Sequence, residues 1–156
     1  MSVADGSTRQ GGLTGIGYQG HDLVSFLERL SMDGVSLLVD VRLNPISRKR
    51  GFSKRALAEA LESVGIAYEH AQPLGNPREN RAGFGGLPGE VQEARRRFAE
   101  ELAAPAAREW LTAIADWATE RRVALLCFEA DQERCHRDVI AAEVHRLNPR
   151  ASRARR

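Results

Sequence analysis

Two cysteines lie eight positions apart in the segment LLCFEADQERCHRDVIAAEV, residues 125 to 144. Cys127 closes an apolar run. Cys135 stands beside His136 and Arg137 where a helix would begin. A thiol at a helix N-terminus, next to an imidazole and a guanidinium, has its thiolate favoured by the dipole and the cations. Cys135 meets that description better than Cys127, whose plainer reading is a small buried apolar residue at a strand end. Both are candidate nucleophiles, and His136 joins them among the catalytic candidates. Glu129 adds a carboxylate that can move protons and serves alone if both thiols are structural. The amides of the same helix start, with Arg137, could hold a phosphate or carboxylate. Against this, Glu129, Asp131 and Glu133 would repel an anion and raise a nearby thiol pKa.

A second reactive segment is VDVRLNPISRKRGFSKRAL, residues 39 to 57. Asp40 and Arg42 flank one strand residue, so their side chains share a face. They either pair with each other, or Asp40 acts as a base while Arg42 clamps an anion. Ser47 and Arg48 offer a hydroxyl and a guanidinium to a phosphate. Arg50, Lys54 and Arg55 read as an exposed basic surface.

Strand, Cys, loop, Arg, helix is broadly the layout of rhodaneses and cysteine phosphatases. Their connecting loop is tight and glycine-rich, whereas nine residues separate Cys127 from Arg137. Cys127, Cys135 and His136, with His70 or His21, are ligand types for zinc. Cys-x7-Cys-His matches no usual ligand spacing, and an adjacent Cys and His rarely both reach one ion, so no metal is expected. No GxxxxGK[ST] loop and no GxSxG elbow is present. GIGYQG, residues 15 to 20, lies within the first apolar run rather than after it, and Asp40 follows about 20 residues on. That is weak support for a dinucleotide, and no cofactor is expected.

The elements that would position these groups alternate. LTGIGY (13–18) reads as a strand, followed by Asp22 as the cap of a helix carrying Leu23, Phe26, Leu27 and Leu30, stopped at Gly34. VSLLVDV (35–41) is apolar enough to be buried on both faces of a parallel sheet. Ser53 can cap a helix carrying Leu57, Ala60, Leu61 and Val64, and IAYEH (66–70) is the third strand. Residues 71 to 89 hold no periodicity and read as a mobile lid, with Phe84 folding over a ligand. Helices are expected over 90–104 and 106–121, the second with Trp110 and Trp117 as core anchors. VALLCF (123–128) is a second buried strand, and a last helix spans 135–147. The expected fold is one three-layer α/β domain, 13–148, with a mainly parallel four-stranded open sheet and helices on both faces, Rossmann-like in outline. Ligands in such sheets bind beyond the strand carboxyl ends. That rim would hold Tyr18, Asp40, Arg42, His70, Cys127 and Glu129 together.

Composition is that of a globular protein: 156 residues, 42% hydrophobic and 28% charged. No apolar run approaches the ~20 residues of a membrane-spanning helix, so no membrane partner is expected. Two cysteines and no secretory layout at residues 1 to 12, read as a flexible leader, point to a reducing cytoplasm. The net charge of +2, from 23 basic and 21 acidic residues, is unevenly placed. PRASRARR (149–156) holds four arginines and no acid, and reads as a basic disordered tail.

Four blocks, TGIGYQGHDLVSFLERL, LLVDVRLNPISRKRGFSK, GIAYEHAQPLGN and ALLCFEADQERCHRDVIAAEV, resemble the domain of unknown function 488 family of bacterial and archaeal proteins. The resemblance implies a compact α/β domain. It carries the family's polar motif onto Asp40, Arg42, Pro45, Ser47, Tyr68, Leu74, Gly75, Cys127, Glu129, Cys135, His136 and Arg137. Family members often have His where this chain has Tyr18, so a mechanism needing an imidazole there would have to use His21 or do without. The resemblance implies no particular reaction. The leading expectation is a hydrolase or transferase acting on an anionic, phosphate- or nucleotide-like small molecule. Catalysis would fall to Asp40, Cys127, Glu129, Cys135 and His136, and substrate binding to Tyr18, Arg42, Ser47, Arg48, Tyr68, His70 and Arg137. The alternative is a nucleic-acid-binding or -processing module that uses the 42–55 run and the arginine tail.

Overall fold

The computed structural model describes residues 11–150. Four strands, β1 (Gly12–Gly17), β2 (Leu37–Asp40), β3 (Ala67–His70) and β4 (Arg122–Cys127), form one parallel sheet in the order β1-β4-β2-β3. The helices are α1 (Leu23–Met32), α2 (Lys54–Ser63), α3 (Arg81–Phe84), α4 (Pro88–Glu101), α5 (Pro105–Glu120) and α6 (Arg137–Leu147). The expected three-layer α/β open sheet is what the chain forms, with every strand parallel. Most of the leader and tail fall outside the described residues. Among those described, no helix is long and apolar enough to cross a membrane.

The period-2 alternation of strand side chains sorts the core into two layers. Leu13, Val39, Val41, Val123, Leu125 and Cys127 pack beneath α4, α5 and α6, against Phe98, Leu111, Ile114, Ile140 and Val144. Ile16, Leu38, Ala124 and Leu126 face the other way, onto Phe26 and Leu30 of α1 and Leu57 and Leu61 of α2. Each fully buried Val, Leu, Ile or Phe side chain among these contributes about 1.5–3 kcal/mol relative to exposure. β2 and β4 are central, which is why their sequences are nearly unbroken apolar runs. Asp22 caps α1 as expected, accepting from the Ser25 amide at 2.8 Å.

Three local expectations are corrected. Ser53 precedes α2 but does not cap it; its Oγ accepts from the Ser47 amide at 2.9 Å and so holds the preceding turn. Trp110 and Trp117 are half-buried on the edge of the core, in edge-to-face contact at 6.3 Å, because Leu111, Ile114 and Ala118 occupy the inward line of α5. Residues 71 to 89 are not a mobile lid. They fold into two 3-10 turns (Gln72–Leu74 and Arg78–Asn80), α3 and the start of α4, and Phe84 is only 3% exposed within the α4–α6 core. The glycines that suggested mobility instead allow close packing: a Cβ at Gly75 would stand 2.5 Å from the Leu43 Cα.

Candidate functional site

At the carboxyl ends of β1, β2 and β4 lies a cavity of about 140 Å³. Cys127 is the last residue of β4, and its odd-numbered register turns it to the α4–α6 side of the sheet. A 3-10 turn (Gln132–Arg134) then brings the chain back, so that Cys135 and His136 sit immediately before α6. All three side chains are buried, and all line the cavity. The His136 Nδ1 is 3.7 Å from the Cys127 Sγ and 3.7 Å from the Cys135 Sγ. Its Nε2 is 2.7 Å from the Val41 carbonyl oxygen. A carbonyl can only accept, so Nε2 carries a proton, and Nδ1 is the ring nitrogen turned to both sulfurs. Phe98 meets the ring edge-on at 5.0 Å and limits its rotation.

The Cys127 thiol also reaches Glu129 Oε1, at 3.1 Å. Hydrogen bonding with the neighbouring free thiol of Cys135 foremost, and burial next, push the Cys127 thiol well above the usual range, with His136 pulling it back only in part. On Cys135, the backbone N–H of Arg137 donates to the sulfur at 3.5 Å.

The connection between the cysteines is held against β1 by two absences of side chain. A Cβ at Gly17 would stand 1.8 Å from the Glu129 carbonyl oxygen, and one at Gly15 would stand 2.1 Å from Gln132 Oε1. The GIG of the first strand therefore makes room for the acidic connection rather than for a dinucleotide. Arg137 completes the clamp: it donates to the Glu129 carbonyl at 2.6 Å, the Ala130 carbonyl at 3.3 Å and Gln132 Oε1 at 2.6 Å. It is 1% exposed and does not line the cavity.

Asp40 and Arg42 form a two-pronged ion pair, with Nε to Oδ1 at 2.9 Å and Nη2 to Oδ2 at 2.7 Å. Tyr68 donates its hydroxyl to Asp40 Oδ2 at 2.6 Å, and the Arg42 amide donates to Oδ1 at 3.1 Å. Arg42 also donates to the Phe52 carbonyl at 2.7 Å and reaches the Tyr18 hydroxyl at 3.4 Å. Burial draws Arg42 down, but the Asp40 carboxylate more than offsets it, and the guanidinium stays firmly charged. Burial, and then Asp40, push the Tyr68 phenol up. Asp40 is fully buried and lies outside the cavity lining; Arg42 reaches it at one side. The His70 imidazole meets the Arg42 carbonyl at 2.9 Å, which fixes the same turn.

Of the residues singled out from the sequence, the fold thus gathers Tyr18, Arg42, Cys127, Glu129, Cys135 and His136 on one cavity. Asp40, Tyr68 and His70 stand behind it as the frame. Ser47 holds its own turn through the Lys49 amide, Arg48 is exposed, and neither lines the cavity. The cations that do line it, besides Arg42, are Arg81 and Arg134, both exposed. Arg134 carries no signal of its own in the sequence, because acidic neighbours dominate the segment. Asn76 is also part of the wall. It is 4% exposed, its Oδ1 accepts from Asn80 Nδ2 at 3.1 Å, and its own amide Nδ2 has no partner among the described residues. Its place at the end of AQPLGN was the available sign. His21 is spent on Ser25, at 3.0 Å, and does not replace the imidazole at position 18.

No curated protein and no solved structure matches the chain. The model of one family, described as Domain of unknown function DUF488, matches residues 22–144. That span begins at the cap of α1, includes the Asp40–Arg42 frame and Tyr68, and ends in α6 beyond Cys135 and His136. It covers most of the sheet and every residue of the buried sulfur–imidazole group, and on that ground the chain belongs to the DUF488 family.

Proposed function

We propose that the chain is an enzyme, a hydrolase or transferase, acting on an anionic, phosphate- or nucleotide-like substrate in this cavity. One observation carries the reading: two exposed arginines, Arg81 and Arg134, line the same small cavity as the buried Cys127, Cys135 and His136. The guanidinium groups would fix the anion by paired hydrogen bonds, and the Asn76 amide has a free donor for one of its oxygens. Phe128, 43% exposed at the rim and edge-on to Tyr18 at 5.3 Å, offers a face to a base or other flat apolar part. Glu129, on the cavity wall, is the proton acceptor. The reading does not lean on a free Cys127 thiolate, because burial and Cys135 oppose one.

Thermal unfolding with inorganic phosphate and with nucleoside monophosphates tests this. A rise in Tm that saturates with ligand, and that is lost in Arg81→Ala/Arg134→Ala but kept in Arg48→Ala, is the expected result. No shift with any of these anions removes the reading.

The second reading, nucleic-acid binding, draws on Arg48, Arg50, Lys54 and Arg55. All four are exposed and form no ion pair among the described residues, on a segment whose Asn44 and Ile46 line the cavity. Binding of a single-stranded oligonucleotide that weakens steeply with salt is its signature. Absence of binding at low salt overturns it.

A further inference from the structure

We propose that Cys127, Cys135 and His136 bind one thiophilic divalent cation of the zinc class, with a coordination position left open to the cavity. The inference rests on the same cavity as the anionic-substrate reading and names what its floor holds.

Distance is the first support. The two sulfurs and Nδ1 all lie within 4.8 Å of one another, and Nδ1 is 3.7 Å from each sulfur. With metal–sulfur and metal–nitrogen bonds of about 2.3 and 2.0 Å, a tetrahedral ion sets its sulfur and nitrogen ligands about 3.5 Å apart. The nitrogen-to-sulfur separations therefore already match those of one shared ion, and the two sulfurs, within 4.8 Å of each other, close on it by rotation of the cysteine side chains. Sequence spacing suggested the opposite. An adjacent Cys and His rarely converge on a helix or strand, but here Cys135 ends a 3-10 turn in extended backbone and His136 is the first αR residue before α6. That change of conformation between neighbours turns both side chains to one point.

Orientation is the second support. The Nε2–H of a metal-bound imidazole is usually given to a carbonyl or carboxylate, which fixes the ring and raises its basicity. His136 gives its Nε2–H to Val41, whose carbonyl is held in place between Asp40 and Arg42. The Arg137 amide on Cys135 Sγ, at the start of α6, favours a charged sulfur.

Chemistry is the third support. Two thiolates and one imidazole form a borderline-soft donor set suited to zinc, and three protein ligands with an open position is the arrangement of catalytic rather than structural zinc. The open position faces the cavity, where water or a substrate oxygen would take it. Glu129, 3.1 Å from Cys127 Sγ and on the cavity wall, stands ready to accept a proton from such a water. An acidic connection that disfavours an anion alone is a favourable setting for a cation. On binding, the two thiols give two protons to solvent, and their charge is neutralised by the ion.

The test uses the full reduced chain, stripped of metal and titrated anaerobically with Co²⁺. The expected result is one ion per chain, a thiolate-to-cobalt charge-transfer absorption, the intense visible bands of tetrahedral cobalt, and displacement by Zn²⁺. Two protons should be released per ion in weak buffer. Cys127→Ala and Cys135→Ala, each a small apolar replacement at a buried site, should lower the charge-transfer intensity to half or less and weaken binding at least tenfold. Their circular dichroism reports whether they remain folded, and the proton count in the unaltered chain decides if they do not. Weak octahedral cobalt spectra, fewer than one proton released, or folded cysteine variants that bind as well as the parent would overturn the proposal. So would a Cys127–Cys135 disulfide that persists under mild reductant. Phosphate titration separates the two readings. Intact cobalt binding without an anion effect removes only the substrate reading, and an anion effect without thiolate-bound cobalt removes only the metal.

Discussion

His136 donates its Nε2–H to the Val41 carbonyl at 2.7 Å, across 95 residues of sequence. That bond joins the two reactive segments. Val41 lies between Asp40 and Arg42, whose ion pair turns to the α1–α2 side of the sheet, while its carbonyl orients an imidazole on the α4–α6 side. The ion pair is thus the frame on which the cavity floor is aligned.

Removal of one partner should expose the cost of the other. Asp40→Ala leaves the Arg42 guanidinium buried without its carboxylate and the Tyr68 hydroxyl without an acceptor. Such a break in a buried pair costs about 3–5 kcal/mol. Urea denaturation should show a lower midpoint with little change in slope, their product giving a loss of that size; a loss below about 1 kcal/mol, the range of surface pairs, would contradict the frame.

The Gly17 contact predicts a graded pair of variants. Gly17→Ala places a methyl 1.8 Å from the Glu129 carbonyl oxygen, so the connection must lift from β1. A loss of about 1–3 kcal/mol is expected from such overpacking. Gly89, in the first turn of α4, has nothing within 4 Å of a built Cβ. Gly89→Ala should instead be neutral or stabilising by up to about 1 kcal/mol. Equal effects of the two substitutions on denaturation midpoints would refute the close approach.

Phe84 distinguishes a fixed wall from a lid. As a buried ring in the α4–α6 core, its truncation to Ala should cost about 3–5 kcal/mol. A ring on a mobile cover would cost about 0.5 kcal/mol or less, as surface substitutions do. The unfolding midpoint decides between them.

Alkaline pH should weaken the fold through Tyr68. Burial foremost, and the bond to Asp40 next, raise its phenol above the ordinary value of 10.0. The folded state therefore keeps the proton longer than the unfolded one. That stabilisation is complete below about pH 10 and declines as pH rises through the unfolded and then the folded pKa. Ultraviolet titration of tyrosinate in Tyr18→Phe protein should show no ionisation of Tyr68 near pH 10 until the chain unfolds. A normal tyrosine titration in folded protein would remove the Tyr68–Asp40 bond.

The sequence by itself determined the sheet and its order of helices and strands. Runs such as LLVD and VALLC are legible because a central parallel strand is buried on both faces, and the Asp22 cap and Gly34 stop are local chemistry. It also marked Cys127, Glu129, Cys135 and His136 as one reactive segment, since a strand end and a helix start fix where such residues lie along the chain. Only the tertiary structure decided what each does. Asp40 and Arg42 serve each other because Tyr68 and the Phe52 carbonyl, brought in by other segments, hold the two side chains in one buried pair. Arg137 clamps carbonyls because two glycines of β1 let the connection lie within its reach. Arg81 and Arg134 come from segments 53 residues apart, and Cys135 and His136 converge through one change of backbone conformation. Side-chain direction across non-adjacent segments depends on packing, and no local pattern of residue types encodes it.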